Sequence, residues 1–286
     1  MNWMKWRRLY YGISVSFLVL AIIPLTLGKL QPAIEFTGGS RLVVSSQAQN
    51  FTTALETALE EKNIEAEPIK PRSNNEYELL TQTIDFETKN QLLAAVEEST
   101  QDKVTEIRFQ TIGPSLGKEL IQKTIFAIVL GVITILAYLW WQFKDWRFGL
   151  AGIAAMLHDT TILVGAFAWF GWFFGVRVDV LFVTAVLTTL SFSVHDTIVV
   201  FDQVRELQRK KRIIDVAERA NLALSQTLTR SINNSMTILF MLAALILLGG
   251  ESLHWFSTAL FIGTLTGTYS STFTALPLYV DLAKKK

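Results

Sequence analysis

Two histidine–aspartate pairs stand inside long apolar runs, and they are where this sequence could do chemistry. His195-Asp196 lies within the run that opens at Val180, in the stretch Ser191-Phe-Ser-Val-His-Asp-Thr-Ile-Val-Val-Phe-Asp-Gln-Val-Arg-Glu206; His158-Asp159 lies 10–11 residues into the run from Phe148. A run of about 20 apolar residues crosses a bilayer. An ionised Asp at the centre of such a helix costs roughly 2.5–3.5 kcal/mol, so it is retained only where it faces protein, water or a partner. On a helix, Thr189, Ser193 and Asp196 share one stripe, and Thr184, Thr188, Ser191 and His195 share the next. Two readings fit this seam: a structural hydrogen-bonding face, or a proton or ion site. The second is preferred here, because it explains why the carboxyl group is there at all. For His158-Asp159 a satisfied core pair and a proton-carrying pair both remain open. Arg230 reads either as a snorkelling anchor or as the counter-ion of Asp196, since the two occur at similar depth on successive antiparallel spans.

No zinc-type spacing, phosphate loop or nucleophile–base set is present, so neither an enzyme nor a metal or other cofactor is expected. With no cysteine among 286 residues, disulfides and thiol chemistry are excluded. Half of the residues are apolar, too many for a soluble chain of this length, and 26 Lys plus Arg against 25 Asp plus Glu leave no bulk charge for nucleic acid. Gly263-Thr-Leu-Thr-Gly267 is a small-xxx-small motif that reads as helix packing within a bundle.

The elements that must carry these residues are six spans: Leu9–Leu27, Leu120–Trp141, Phe148–Phe174, the run from Val180, Ser231–Leu248 and Leu253–Tyr279. The fold class is therefore an α-helical membrane protein with one extracytoplasmic α+β domain between the first two helices. Residues 1–28 form the first helix, 29–118 the domain, and 119–286 the other five helices, with a cytoplasmic loop at about 202–225. The first run resembles a signal peptide but is too long and lacks a cleavage site, so a retained anchor is expected. In the soluble segment, alternation gives strand 41–46, helix 50–62, strands 65–71 and 76–81, helix 85–98 and strand 103–111. That order, βαββαβ, is the ferredoxin-like arrangement, with Asp85 as a helix cap. Asp215-Val-Ala-Glu218 reads as the start of a helix along the membrane surface. Basic residues gather at the amino end, in 142–147, in 202–225 and in the tail, which puts both termini in the cytoplasm.

Ile34-Glu-Phe-Thr-Gly-Gly39, Ser193-Val-His-Asp-Thr-Ile-Val-Val-Phe-Asp202, Leu228-Thr-Arg-Ser-Ile-Asn233, Leu248-Gly-Gly-Glu251 and Gly267-Thr-Tyr-Ser-Ser271, in this order, resemble the SecF family, the smaller half of the SecDF protein-export factors. The resemblance covers essentially the whole chain, and these factors belong with the resistance-nodulation-division superfamily. It implies an accessory subunit that acts with SecD beside the SecYEG channel. Driven by the proton-motive force, it would draw unfolded exported polypeptides outward after SecA has pushed them in. It further implies proton-coupling roles for Asp196 and Arg230, and matches His158 and Asp159 to a family pair, so that His158, Asp159 and His195 are candidate relay residues. The implied location is the bacterial plasma (inner) membrane, or a thylakoid membrane if the source has one. Two positions depart from the family pattern. Glu35 stands where Asp is usual, and His195 where Asn is usual; the ring either replaces the amide as a hydrogen-bonding group or joins the relay. The alternatives in other classes are a small-molecule or lipid exporter of the same superfamily and a membrane scaffold.

Overall fold

The structure, a computed structural model, describes residues 2–72, 75–143, 145–210 and 215–284. The chain divides into two compact units, Pro32–Ile125 and the combination of Met1–Gln31 with Phe126–Lys286.

In the first unit the chain passes from α2 (Ile34–Thr37) to β1 (Gly39–Ser45), α3 (Phe51–Glu61), β2 (Lys70–Pro71), β3 (Glu76–Thr81), α4 (Phe86–Thr100) and β4 (Thr105–Ile112). The strands lie in the order β2-β3-β1-β4, each pair antiparallel. Alternation along β1 sends Leu42 and Val44 to one face, where they pack with Leu79 of β3, Phe51, Leu55 and Leu59 of α3, and Leu92 and Val96 of α4. Gly39 opens β1 at φ +120°, and a Cβ there would stand 2.7 Å from the Thr81 carbonyl oxygen, so only glycine fits. The strand expected over 65–71 is cut short. Only Lys70–Pro71 joins β3, with one further bridge between Ala66 and Thr81. Pro68 and Pro71 have no N–H to give a ladder, which restricts this segment to a sheet edge. Asp85 caps α4, accepting from the Thr88 amide at 2.8 Å, and its bonds from Thr88 hold the carboxyl below the usual range. Asp102 does the same work for the turn after β1. It accepts from Ser46 Oγ at 2.7 Å and from the amides of Gln47 and Ala48 at 2.8 and 3.0 Å.

The second unit is helical. Five helical stretches among the described residues are long and apolar enough to cross a membrane: Trp3–Thr26, Pro114–Phe143, Trp146–Phe174, Val180–Arg209 and Val216–Leu248. They contain α1 (Arg7–Thr26), α5 (Pro114–Phe143), α6 (Trp146–Phe174), α7 (Val180–Arg209) and α8 (Val216–Leu248). The stretch expected as a sixth span is not among them. It forms α9 (Glu251–Ser270), a π-helical turn at Ser271–Ala275, and α10 (Leu276–Lys284). Glycine, serine and threonine dilute the apolar character of α9, which is the reason it stands apart. Among the described residues, no separate surface helix lies within 202–225 either. Residues 202–209 continue α7, and 216–225 are the first turns of α8, capped by Asp215 through the Glu218 amide at 3.2 Å.

Small residues let these helices approach closely. Ala151 and Ala155 of α6, Ala185 of α7 and Ala259 of α9 are all fully buried, interleaved with Phe148, Phe167 and Phe201. At Gly263 of α9 the approach is closest, since a Cβ would fall 2.2 Å from Thr189 Oγ1. The small-residue face of α9 is thus spent on α7 of the same chain.

Candidate functional site

The bundle's polar centre is built where α6, α7, α8 and α9 meet. Asp159 of α6 is 1 % exposed, and its carboxyl group is fully engaged. Oδ2 accepts from Ser193 Oγ of α7 and from Ser270 Oγ of α9, each at 2.6 Å, while Oδ1 lies 2.9 Å from His158 Nδ1. Both O–H···O distances are at the short end of the hydrogen-bond range. One carboxyl group therefore ties three helices together, and its α9 ligand is the last residue before the π turn. Single π turns commonly mark functional positions in helices. His158 is buried too, stacked on Tyr269 with ring centroids 6.3 Å apart. Its Nε2 has no hydrogen-bond partner among the described residues.

Asp196 of α7 occupies a second position. It is 8 % exposed and accepts from Ser231 Oγ of α8 at 3.0 Å. Beside it lies a cavity of about 20 Å³ whose polar lining is His195, Asp196, Asn234, Ser235, Thr264 and Thr268. On α9, Thr268 reaches across to Ser235 Oγ at 2.6 Å. Gly267 also borders the cavity, and its backbone lies against Ser193. The two carboxyl groups thus sit on either side of one α7–α9 contact, three residues apart along α7 as measured from Ser193 to Asp196.

The residues singled out from the sequence are distributed as follows. Asp196 lies inside the bundle, with His195 beside it at an exposed edge of the cavity, and His158 and Asp159 bond to each other. Asp196 and Arg230 do not form an ion pair in this structure: Arg230 is exposed, and its neighbour Ser231 takes the place next to Asp196. The reason is rotation. Adjacent residues on a helix point about 100° apart, so depth alone does not decide which of the two faces α7. Ser193, read as part of the Asp196 stripe, is bonded to Asp159 instead. Sequence reasoning missed Ser231, Ser270 and Thr264. Hydroxyl residues are common in apolar helices, and no signal in one sequence separates those that serve a carboxyl group from those bonded back to their own helix.

Comparison with known proteins places this arrangement. The family model "Protein export membrane protein SecD/SecF, C-terminal" matches residues 92–285. The chain is 35 % identical to the protein translocase subunit SecF of Thermobaculum terrenum, over 98 % of this chain and 93 % of that one. It is 31 % identical to the SecF of Vibrio alginolyticus, over 100 % and 90 %. It also matches the SecDF of Bacillus subtilis at 31 % identity, over 96 % of this chain and 37 % of that protein. Among solved structures, SecDF of Thermus thermophilus, a translocon-associated membrane protein, superposes with a TM-score of 0.85 at 30 % identity, covering 100 % of this chain and 39 % of that one. The chain thus spans about two fifths of the SecDF proteins it matches and nearly all of the SecF proteins. With apolar helices, a carboxyl-bearing polar centre and these relatives, the chain belongs to the SecD/SecF family of protein export membrane proteins.

Proposed function

We propose that the chain is an accessory subunit of the Sec export machinery that works with SecD beside SecYEG. It uses the proton-motive force to draw polypeptides outward after SecA has delivered them. The observation that carries this reading is Asp196, buried on α7 against α8 with the Ser231 hydroxyl bonded to it and a polar cavity at its side. A carboxyl group so placed can exchange a proton without opening the bundle. With its proton, Asp196 is a neutral hydrogen-bonding partner for Ser231; without it, the carboxylate draws a cation. Arg230 is next to Ser231 on α8, and a rotation of that helix by one residue, about 100°, exchanges the serine for the guanidinium. Proton binding then favours one packing of α7 and α8 over the other, as coupling requires.

The remaining parts fit this scheme. The α9–π–α10 stretch is the sixth span, both termini are cytoplasmic under the positive-inside rule, and the membrane is the bacterial inner membrane. The strand order β2-β3-β1-β4, with α3 and α4 in one core, supports a ferredoxin-like domain on the outer face that binds or pulls rather than catalyses. No enzymatic step and no cofactor is assigned. The relatives in which SecD and SecF form one chain support a heterodimer with SecD. Small-molecule export by the same superfamily fits less well, because the relatives this chain resembles over nearly its full length are protein translocase subunits. The test is secretion in cells whose only copy carries Asp196→Asn. The variant should be recovered with SecD and fail to support export; normal secretion would overturn the reading.

A further inference from the structure

Many threonines in these helices dispose of their hydroxyls in one way. Thr184, Thr188, Thr197, Thr227 and Thr258 each donate to the carbonyl four residues earlier. This is the usual outcome for threonine inside an apolar helix. Thr264 departs from it. It is 4 % exposed, lines the cavity beside Asp196, and its Oγ1 has no hydrogen-bond partner among the described residues. A buried hydroxyl without a partner is destabilising, so such groups are normally satisfied by protein or by an ordered water. The cavity meets both conditions for water. Its volume, about 20 Å³, exceeds the roughly 10–15 Å³ one molecule needs, and its wall offers several polar groups where two to four are wanted. Thr189 Oγ1 is also without a partner, but it lies against Gly263 and does not line the cavity.

We propose that this cavity is a binding site for one water molecule, held by the Thr264 hydroxyl next to Asp196, and that this water is the immediate proton donor and acceptor of the Asp196 carboxyl group. The proposal rests on the reading of Asp196 as a proton site and names how the proton reaches it. In the loading step, a proton arriving on the bound water passes to a carboxylate oxygen, one O–H bond breaking as another forms, and neutral water remains. Unloading is the reverse. Thr264 gives up nothing in either step; it orients the oxygen. The other ionisable group on the cavity wall is His195, at its exposed edge. The wall residues from α8 and α9 are uncharged, and Arg230 is exposed on α8 outside the lining. Water therefore meets Asp196 and His195 together, which places the imidazole at the mouth of the route.

The experiment uses the full chain co-purified with SecD. Infrared spectra are recorded in D₂O and in D₂¹⁸O, where an O–D stretch that shifts with the oxygen isotope identifies bound water. Proton flux is measured on the same protein in vesicles. Thr264→Val, similar in shape but without the hydroxyl, should lose that band and slow proton flux by about tenfold, the scale of one lost hydrogen bond. Thr264→Ser should keep both. Thr264→Ala serves as a second hydroxyl-free variant if Thr264→Val does not assemble. A band unchanged in the hydroxyl-free variants overturns the site; a lost band with normal flux overturns its place on the proton route. Because neither readout involves secretion, failure here is distinguishable from failure of the export reading, which Asp196→Asn tests in cells.

Discussion

Removing the two serine hydroxyls that hold Asp159 should weaken the bundle more than the sum of the single changes. Ser193→Ala and Ser270→Ala each delete one donor, at 2.6 Å, from the same carboxyl oxygen of a residue that is 1 % exposed. Interhelical hydrogen bonds between neutral groups in membranes average only about 0.6 kcal/mol. Leaving a buried acceptor short of a donor costs about 1–3 kcal/mol, and Asp159 is buried, so each single change should cost about 2 kcal/mol. In the double variant Oδ2 loses both donors, and no other hydrogen bond to that oxygen is seen among the described residues. The desolvated oxygen is then uncompensated, and the loss should exceed the sum, reaching about 5 kcal/mol or more. Thr197→Val is the control: its hydroxyl is buried but bonded to the Ser193 carbonyl on its own helix, so its removal should matter far less. The assay is reversible unfolding of the purified chain in mixed micelles, followed by tryptophan fluorescence. Single variants within about 0.5 kcal/mol of the control, adding without coupling, would refute the idea that Asp159 ties α6, α7 and α9.

Further expectations concern packing and the α/β unit. Gly263→Ala brings a methyl to 2.2 Å from Thr189 Oγ1, whereas Gly267→Ala meets Ser193 Cα at 3.3 Å. Overpacking of this kind costs about 1–3 kcal/mol, so Gly263→Ala should be the more destabilising of the two in the same unfolding assay. In the α/β unit, Asp102 is held below its usual range by bonds from Ser46 and from the amides of Gln47 and Ala48. A depressed carboxyl contributes stability above the unfolded-state value, near pH 4, and loses it as pH falls through the lower folded-state value. Hydrogen exchange at Gln47 and Ala48 in the full chain should therefore be slower than in Asp102→Asn at pH 6 and converge with it on acidification.

The intramembrane carboxyl groups were legible because their position is anomalous: an Asp far inside an apolar run needs an explanation whatever the fold. The partners of those groups were not legible. Asp196 meets Ser231 and not Arg230 because of a helix rotation that spacing and depth do not encode. Ser193 lies on the Asp196 stripe of α7, yet three neighbouring helices compete for that stripe and α6 obtains the serine. The elements of the α/β unit followed from alternation and capping, except at 65–71, where Pro68 and Pro71 kept the segment from pairing along its length. The helix α9 is the opposite case. Gly263, Gly267 and Ser270 lower its apolar character, and those same residues make contacts with α6 and α7. Composition alone cannot distinguish a helix diluted by loops from one diluted by function.

The central claim is that Asp196 carries the proton that couples the membrane potential to movement of the chain. Vesicles containing the full chain with SecD, under an imposed proton gradient, test it most directly when wild type is compared with Asp196→Asn. Asparagine keeps the shape and the bond from Ser231 while removing the titration. Proton flux should fall to the level of empty vesicles while assembly with SecD is preserved; flux equal to wild type in an assembled complex would contradict the account.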